Sequence, residues 1–149
     1  MAFTPAVFYK DPMAALTWLE QAFGFETSML IEPPQDDPRM MHAEMSLAGA
    51  GRVMVGAEWS NWTRSPASVG GANTAAVHVD LEADIDAHCA RARRAGAVIE
   101  TEPADQFYGA RTYRAADPEG HVWTFAQTIR AVSREEAERV SGLKIRGWV

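Results

Sequence analysis

PMAALTWLEQAFGFE (residues 12–26) and DIDAHCARARRAGAV (residues 84–98) decide how this chain folds, because they repeat one pattern about 72 residues apart. Each reads as a short helix that stops at a glycine, Gly24 or Gly96, and passes into a strand. In the first copy Leu16, Leu19 and Phe23 recur at helical spacing. Pro12 stands in the first turn, where its missing N–H costs nothing, and Gly24 suits the cap beyond the last turn. In the second copy Ile85, Cys89 and Ala92 form the apolar stripe. A strand-like stretch precedes each copy, AVFY (6–9) and AAVHVDL (75–81). A unit of this length in only two copies argues for two fused half-domains, since a solenoid needs three or more repeats.

Reading outward, FTPAVFY (3–9) is a first strand and FETSMLIE (25–32) a second. EPPQDDPR (32–39), with its prolines and aspartates, is a loop. MMHAEMSLAG (40–49) and RVMVGAEW (52–59) read as a strand pair around Ala50 and Gly51. WSNWTRSPASVGGAN (59–73) comes next as a linker, most flexible at Gly70 and Gly71. The second half keeps the same order: a strand over 74–81, a helix over 84–95, a strand over 97–102 and a loop over 103–110. Strands over 111–117 and 121–127 then flank a Pro118-Glu119-Gly120 turn. Ser133 and Glu136 have capping-box spacing and open a tail helix that Gly142 can end. The sequence therefore predicts one α+β domain over 1–149: a β-α-β-β-β module over 3–59, a linker over 60–73, a second such module over 74–130 and a helical tail over 131–149. The apolar ending LKIRGWV (143–149) should pack on this domain or on a partner subunit, because a free Trp148 is costly.

Composition narrows the function classes. Hydrophobic residues make up 47% and charged residues 23%, a globular balance over 149 residues. The net charge of −6 and the lack of any Lys/Arg block argue against nucleic acid as a partner. No apolar run approaches the roughly 20 residues of a membrane span, and no secretory signal opens the chain. A single cysteine, Cys89, excludes an internal disulfide and suits a reducing cytoplasm.

The tandem modules, with FYGARTYRAADPEGHVWTFAQ (107–127) and HAEMSLAG (42–49), resemble the vicinal oxygen chelate superfamily. That superfamily contains glyoxalase I, extradiol dioxygenases, fosfomycin-inactivating enzymes and bleomycin-resistance proteins, and the resemblance spans roughly residues 3–130. It implies that the two modules curl a mixed sheet around one cleft. It also implies that members with chemistry hold a divalent metal there through His or Glu on the first and last strands of a module, as a Lewis acid. Carried over by position, those ligands fall on Thr4, Met54, Ala76 and Thr124, none of which suits a hard cation. A slip of one residue turns the chain to the wrong face, and a slip of two rescues only His78. No metal or other cofactor is therefore expected.

Several residues could still carry chemistry. His78 alternates in phase with Ala76 and reads either as a cleft imidazole or as a satisfied strand histidine. His42 and Glu44 share one strand face, opposite Met41, Ala43 and Met45, and could be a proton-transfer pair or a solvated contact. The resemblance sets Tyr108 and Arg111 near the cleft rim, where guanidinium and phenol could hold an anionic group; Arg111 could instead brace the Asp117 turn. Phe8, Trp59 and Trp62 could stack on a flat ligand, whereas Trp123 should pack between sheet and helices and Cys89 should be an inert core thiol.

The favoured reading is metal-independent binding of an aromatic or amphipathic small molecule in the cleft, using Phe8, Met54, Trp59, His78, Tyr108, Arg111 and Thr124. The alternatives are a lyase, isomerase or dioxygenase with non-standard metal ligands drawn from His42, Glu44 and His78, and a metal-free acid–base enzyme. Relatives of this kind often build each cleft from two chains, so a homodimer is expected.

Overall fold

The computed structural model describes residues 2–148, so Val149, the last residue of the expected apolar tail, lies outside the described residues. The first module runs β1 (Ala6–Tyr9), α1 (Pro12–Phe23), β2 (Glu26–Ile31), β3 (His42–Leu47) and β4 (Ala50–Ala57). The second runs β5 (Val77–Asp80), α2 (Ile85–Arg94), β6 (Val98–Asp105), β7 (Ala110–Ala116) and β8 (Val122–Thr128), and α3 (Arg134–Ser141) comes after it. Each module forms a four-stranded mixed sheet, ordered β1-β4-β3-β2 and β5-β8-β7-β6. The first strand of each module lies parallel to its last, and the other pairs are antiparallel. The sheets stay separate: β1 and β5 are edge strands that do not pair with each other.

Local chemistry explains the helices. Asp11 Oδ1 accepts the Ala14 N–H at 3.0 Å, and Pro12 opens α1 in the position where its ring is harmless. Gly24 ends α1 at φ 75°, and the second module completes that end. Arg91 of α2 donates to the Glu20 and Gln21 carbonyls at 2.7 Å each, placing a cation at the negative end of α1. The positive φ favours glycine at position 24, and a Cβ there would stand 2.8 Å from the Arg91 guanidinium, which would have to shift from its hold on α1. Ser133 Oγ caps α3 through the Glu136 N–H at 3.1 Å, and Gly142 ends it at φ 72°.

Each sheet buries one face against α1 and α2, which also pack on each other. The alternation is clean on β3, where Met41, Ala43 and Met45 are buried while His42 and Glu44 are only half-buried. Trp123 and Phe125 from β8 meet Phe23 and Phe25 at centroid distances of 4.8–5.7 Å, and one apolar core runs through both modules. Trp123 and Cys89 lie in that core, as the sequence predicts.

Three details depart from the sequence reading. β1 begins at Ala6 and β5 at Val77, so the first strands are shorter than 3–9 and 74–81. β6 runs on to Asp105, where a loop was expected from Pro103. Its edge position tolerates a proline without an N–H, and its pairing with β7 shifts between Thr101 and Ala104. Finally, the Asp117 turn is braced by no arginine. Asp117 Oδ1 accepts the Glu119 and His121 N–H groups at 3.1 and 3.0 Å, while Oδ2 accepts Tyr9 Oη–H at 2.6 Å and Trp123 Nε1–H at 3.1 Å. Glu119, one residue past Pro118, accepts the Lys10 and Asp11 N–H groups at 2.8 and 2.9 Å ahead of α1. The β7–β8 turn is thus a polar latch that fixes the start of module one onto module two.

Candidate functional site

The face of each sheet turned away from the helices is open, and strand register says which side chains share it. In module one Ala6 stands opposite Met54, Phe8 opposite Gly56, and Glu44 opposite Met54 on its other side. In module two His78 stands opposite Thr124, and Arg114 opposite Thr124 on its other side. The first-strand positions facing Met54 and Thr124 are therefore Ala6 and His78, two residues beyond the Thr4 and Ala76 that counting from the helices suggests. Such a slip preserves the face and changes the occupant, which alternation alone cannot detect.

The aromatic candidates fall into two groups. Phe8 meets Trp62 edge-on at 6.3 Å, and Trp62 meets Trp59 edge-on at 5.0 Å, so the linker rings extend the open face of module one. Glycine at position 56 allows this, because a Cβ there would press to 3.3 Å from the Phe8 ring. Trp59 and Trp62 remain 49% and 68% exposed. On module two Tyr108 is 43% exposed and meets Phe107 edge-on at 5.2 Å.

His78 is the common wall of three hollows. One of about 310 Å³ lies over the open face of module two, with Thr112, Arg114 and Thr124. One of about 650 Å³ lies between that face and the C-terminal tail. The third, about 380 Å³, separates β5 from the β3–β4 hairpin of module one. The His78 ring is half exposed, with Nε2 3.4 Å from Asp80 Oδ1. The HxD spacing of His78 and Asp80 puts both on one face, the same signal that singles out His42 and Glu44, so this pair was readable from sequence and was missed.

Other candidates are held elsewhere. Glu44 takes Arg52 Nη1 at 2.9 Å as its partner, across the strand pair and not along it to His42. Arg111 lies on the helix side of β7, in phase with Tyr113, where Asp86 and Asp105 clamp it at 2.8 and 2.7 Å. These two carboxylates raise its pKa, with Asp86 contributing most, and they leave its guanidinium committed. Arg111 therefore points away from the open face that His78 and Thr124 share.

A buried relay sits behind the site. His88 Nε2 lies 2.8 Å from the Phe23 carbonyl, which can only accept, so Nε2 carries the proton and Nδ1 accepts Tyr113 Oη–H at 2.6 Å. Burial pushes the His88 pKa down, with nearby Arg91 adding to this and the Phe23 carbonyl opposing it. Tyr113 is pushed up, chiefly by burial. Tyr113 is fully buried and His88 stands on α2 against Phe23 and Phe125, so the relay supports the core.

The donor set does not fit a divalent ion. Of the four register-paired positions, Ala6 and Met54 offer no hard ligand, Thr124 offers a neutral hydroxyl, and only His78 offers an imidazole. Among the described residues no group of three or more His, Cys, Asp or Glu side chains converges on one point. No helix among them is long and apolar enough to cross a membrane.

Comparison with known proteins accords with this geometry. TioX from Micromonospora has a solved structure 31% identical to this chain, covering 85% of it and 99% of TioX at a TM-score of 0.63. TnmS3, an antibiotic binding protein from Streptomyces, superposes at a TM-score of 0.66 over 86% of this chain and 97% of its own, with 20% identity. An uncharacterised protein of Mycobacterium bovis is 30% identical over 141 residues, which is 92% of this chain and 90% of that protein. The sequence profile of one superfamily matches residues 3–125, both modules together. With tandem β-α-β-β-β modules, paired open faces and that match, the chain belongs to the Glyoxalase/Bleomycin resistance protein/Dioxygenase superfamily.

Proposed function

We propose that this protein binds an aromatic or amphipathic small molecule on its open sheet faces, without a metal ion. The observation that carries the reading is the pairing of exposed rings with unfit metal positions. Tyr108 rims two hollows bordered by His78, Phe8 and Trp62 line a separate hollow beside β1 with Trp59 edge-on to Trp62, and Ala6, Met54 and Thr124 stand where a chelate would need charged or imidazole donors. Rings of this kind give a flat ligand area to stack on, and hollows of about 310–650 Å³ suit a drug-sized molecule. TnmS3, described as an antibiotic binding protein, shares the fold and adds support for binding over turnover.

Elemental analysis of untagged protein purified without chelator, with tryptophan quenching by planar compounds, tests the reading. Quenching without stoichiometric metal is expected. Stoichiometric Fe, Mn, Ni or Zn that disappears in His78→Ala would replace it with a metal-dependent lyase, isomerase or dioxygenase. A homodimer is part of the proposal, supported by the unpaired β1 and β5 edges and by Phe3, 98% exposed beside them. A cytoplasmic setting is proposed too, supported by the lone buried thiol of Cys89.

A further inference from the structure

The superfamily match ends at residue 125, yet a hollow of about 650 Å³ is walled in part by residues from 126 to 148. Its floor is made of small residues on the open face, Ala110 and Ala126, which leave room for a flat body. One wall is Phe107 and Tyr108. The other is the C-terminal tail, through Val132, Ile145 and Trp148. The tail is anchored at both ends. Ile129 and Arg130 donate their N–H groups to the Gly109 carbonyl at 2.9 and 3.2 Å, and Trp148 Nε1–H donates to the Val132 carbonyl at 2.9 Å. A Cβ at position 109 would stand 2.3 Å from the Arg130 carbonyl oxygen, so the close approach of tail and loop demands glycine. Trp148 is nonetheless 40% exposed, with its indole nitrogen satisfied and its ring free for contact.

Charge at the mouth selects among flat molecules. Asp80 is 89% exposed, and its partner is the His78 imidazole at 3.4 Å. Arg130, the cation on the rim, is already held by Glu136 at 2.9 Å. The mouth thus presents an exposed carboxylate, held by an imidazole and by no Lys or Arg ion pair among the described residues, in the same hollow as two electron-rich rings, Tyr108 and Trp148, and both features attract a cation.

We infer that the tail is the specificity wall of a second-module site for a planar aromatic molecule carrying a basic nitrogen, stacked between Tyr108 and Trp148 with its charge at Asp80. The inference rests on the small-molecule reading above and names its ligand class and its wall. Calorimetric titration of the full chain with proflavine, a planar cation, and anthraquinone-2-sulfonate, a planar anion, tests it. Proflavine should bind at least about tenfold more tightly, Asp80→Asn should remove that preference, and Trp148→Ala and Tyr108→Ala should each weaken proflavine about tenfold, the scale of one lost stacking or cation–π contact. Trp148 lies outside the apolar core, so circular dichroism should show that its variant is folded. Binding that survives Trp148→Ala and Tyr108→Ala but is lost in Phe8→Ala would overturn the tail site while leaving small-molecule binding intact. Equal affinity for both probes overturns the charge assignment, and binding of neither overturns both this inference and the reading beneath it.

Discussion

Replacing Asp117 with alanine should unfasten the two modules. The carboxylate is 4% exposed and accepts four hydrogen bonds. Two come from side chains with no access to water, Tyr9 at 1% and Trp123 at 0% exposure. A hydrogen bond to a charged group contributes about 1.5–3 kcal/mol, and a buried donor left unpaired forfeits its hydration as well. Those two donors set a loss of about 3–5 kcal/mol, because the Glu119 and His121 N–H groups lie nearer solvent and can rehydrate. With a urea slope of about 2 kcal/mol/M, the midpoint should fall by about 2 M, read by tryptophan fluorescence. Tyr9→Phe removes a single donor to that carboxylate and should cost about 1.5–3 kcal/mol. In a double-mutant cycle the pair should lose less than the sum of the single losses. An Asp117→Ala midpoint within about 0.5 M of the parent would refute the latch.

The same geometry sets three further outcomes. His88 has a depressed folded pKa, so the unfolded chain takes up its proton first as pH falls; stability is full above the free-imidazole value of 6.5 and declines below it. His88→Leu should cost about 1–3 kcal/mol, by stranding the Phe23 carbonyl and Tyr113 hydroxyl, and should flatten that decline in urea titrations at about pH 5 and 7.5. Cys89 is 2% exposed and its thiol is pushed up by burial, so alkylation by iodoacetamide should be negligible in native protein and prompt in urea; equal rates would contradict the core assignment. Sedimentation at micromolar concentration should give twice the 16.3 kDa chain mass, and a single-chain mass would remove the homodimer.

Much of the fold was legible because its signals are local. Pro12, Gly24, Ser133 and Gly142 mark helix ends by chemistry that needs no tertiary partner, and the stripe of Ile85, Cys89 and Ala92 is the buried face of α2. The alternation on β3 assigned His42 and Glu44 to the open face for the same reason. Features that depend on pairing were not legible. The two-residue difference between Thr4 and Ala6, or Ala76 and His78, lies in the register of a parallel pair, which leaves no periodic trace in either strand. Arg111 carries no mark in its own segment that Asp86, 25 residues earlier, will claim it. Trp148 reads as a generic apolar ending until the tail is seen returning to Val132.

The central claim is that the open faces hold their ligand with side chains alone. Calorimetric titration of chelator-treated protein with proflavine, repeated after adding one equivalent of Mn²⁺ or Zn²⁺, addresses it directly. The expected result is one-site binding with the same Kd in every condition. Binding that vanishes with the chelator and returns with the metal would contradict the account.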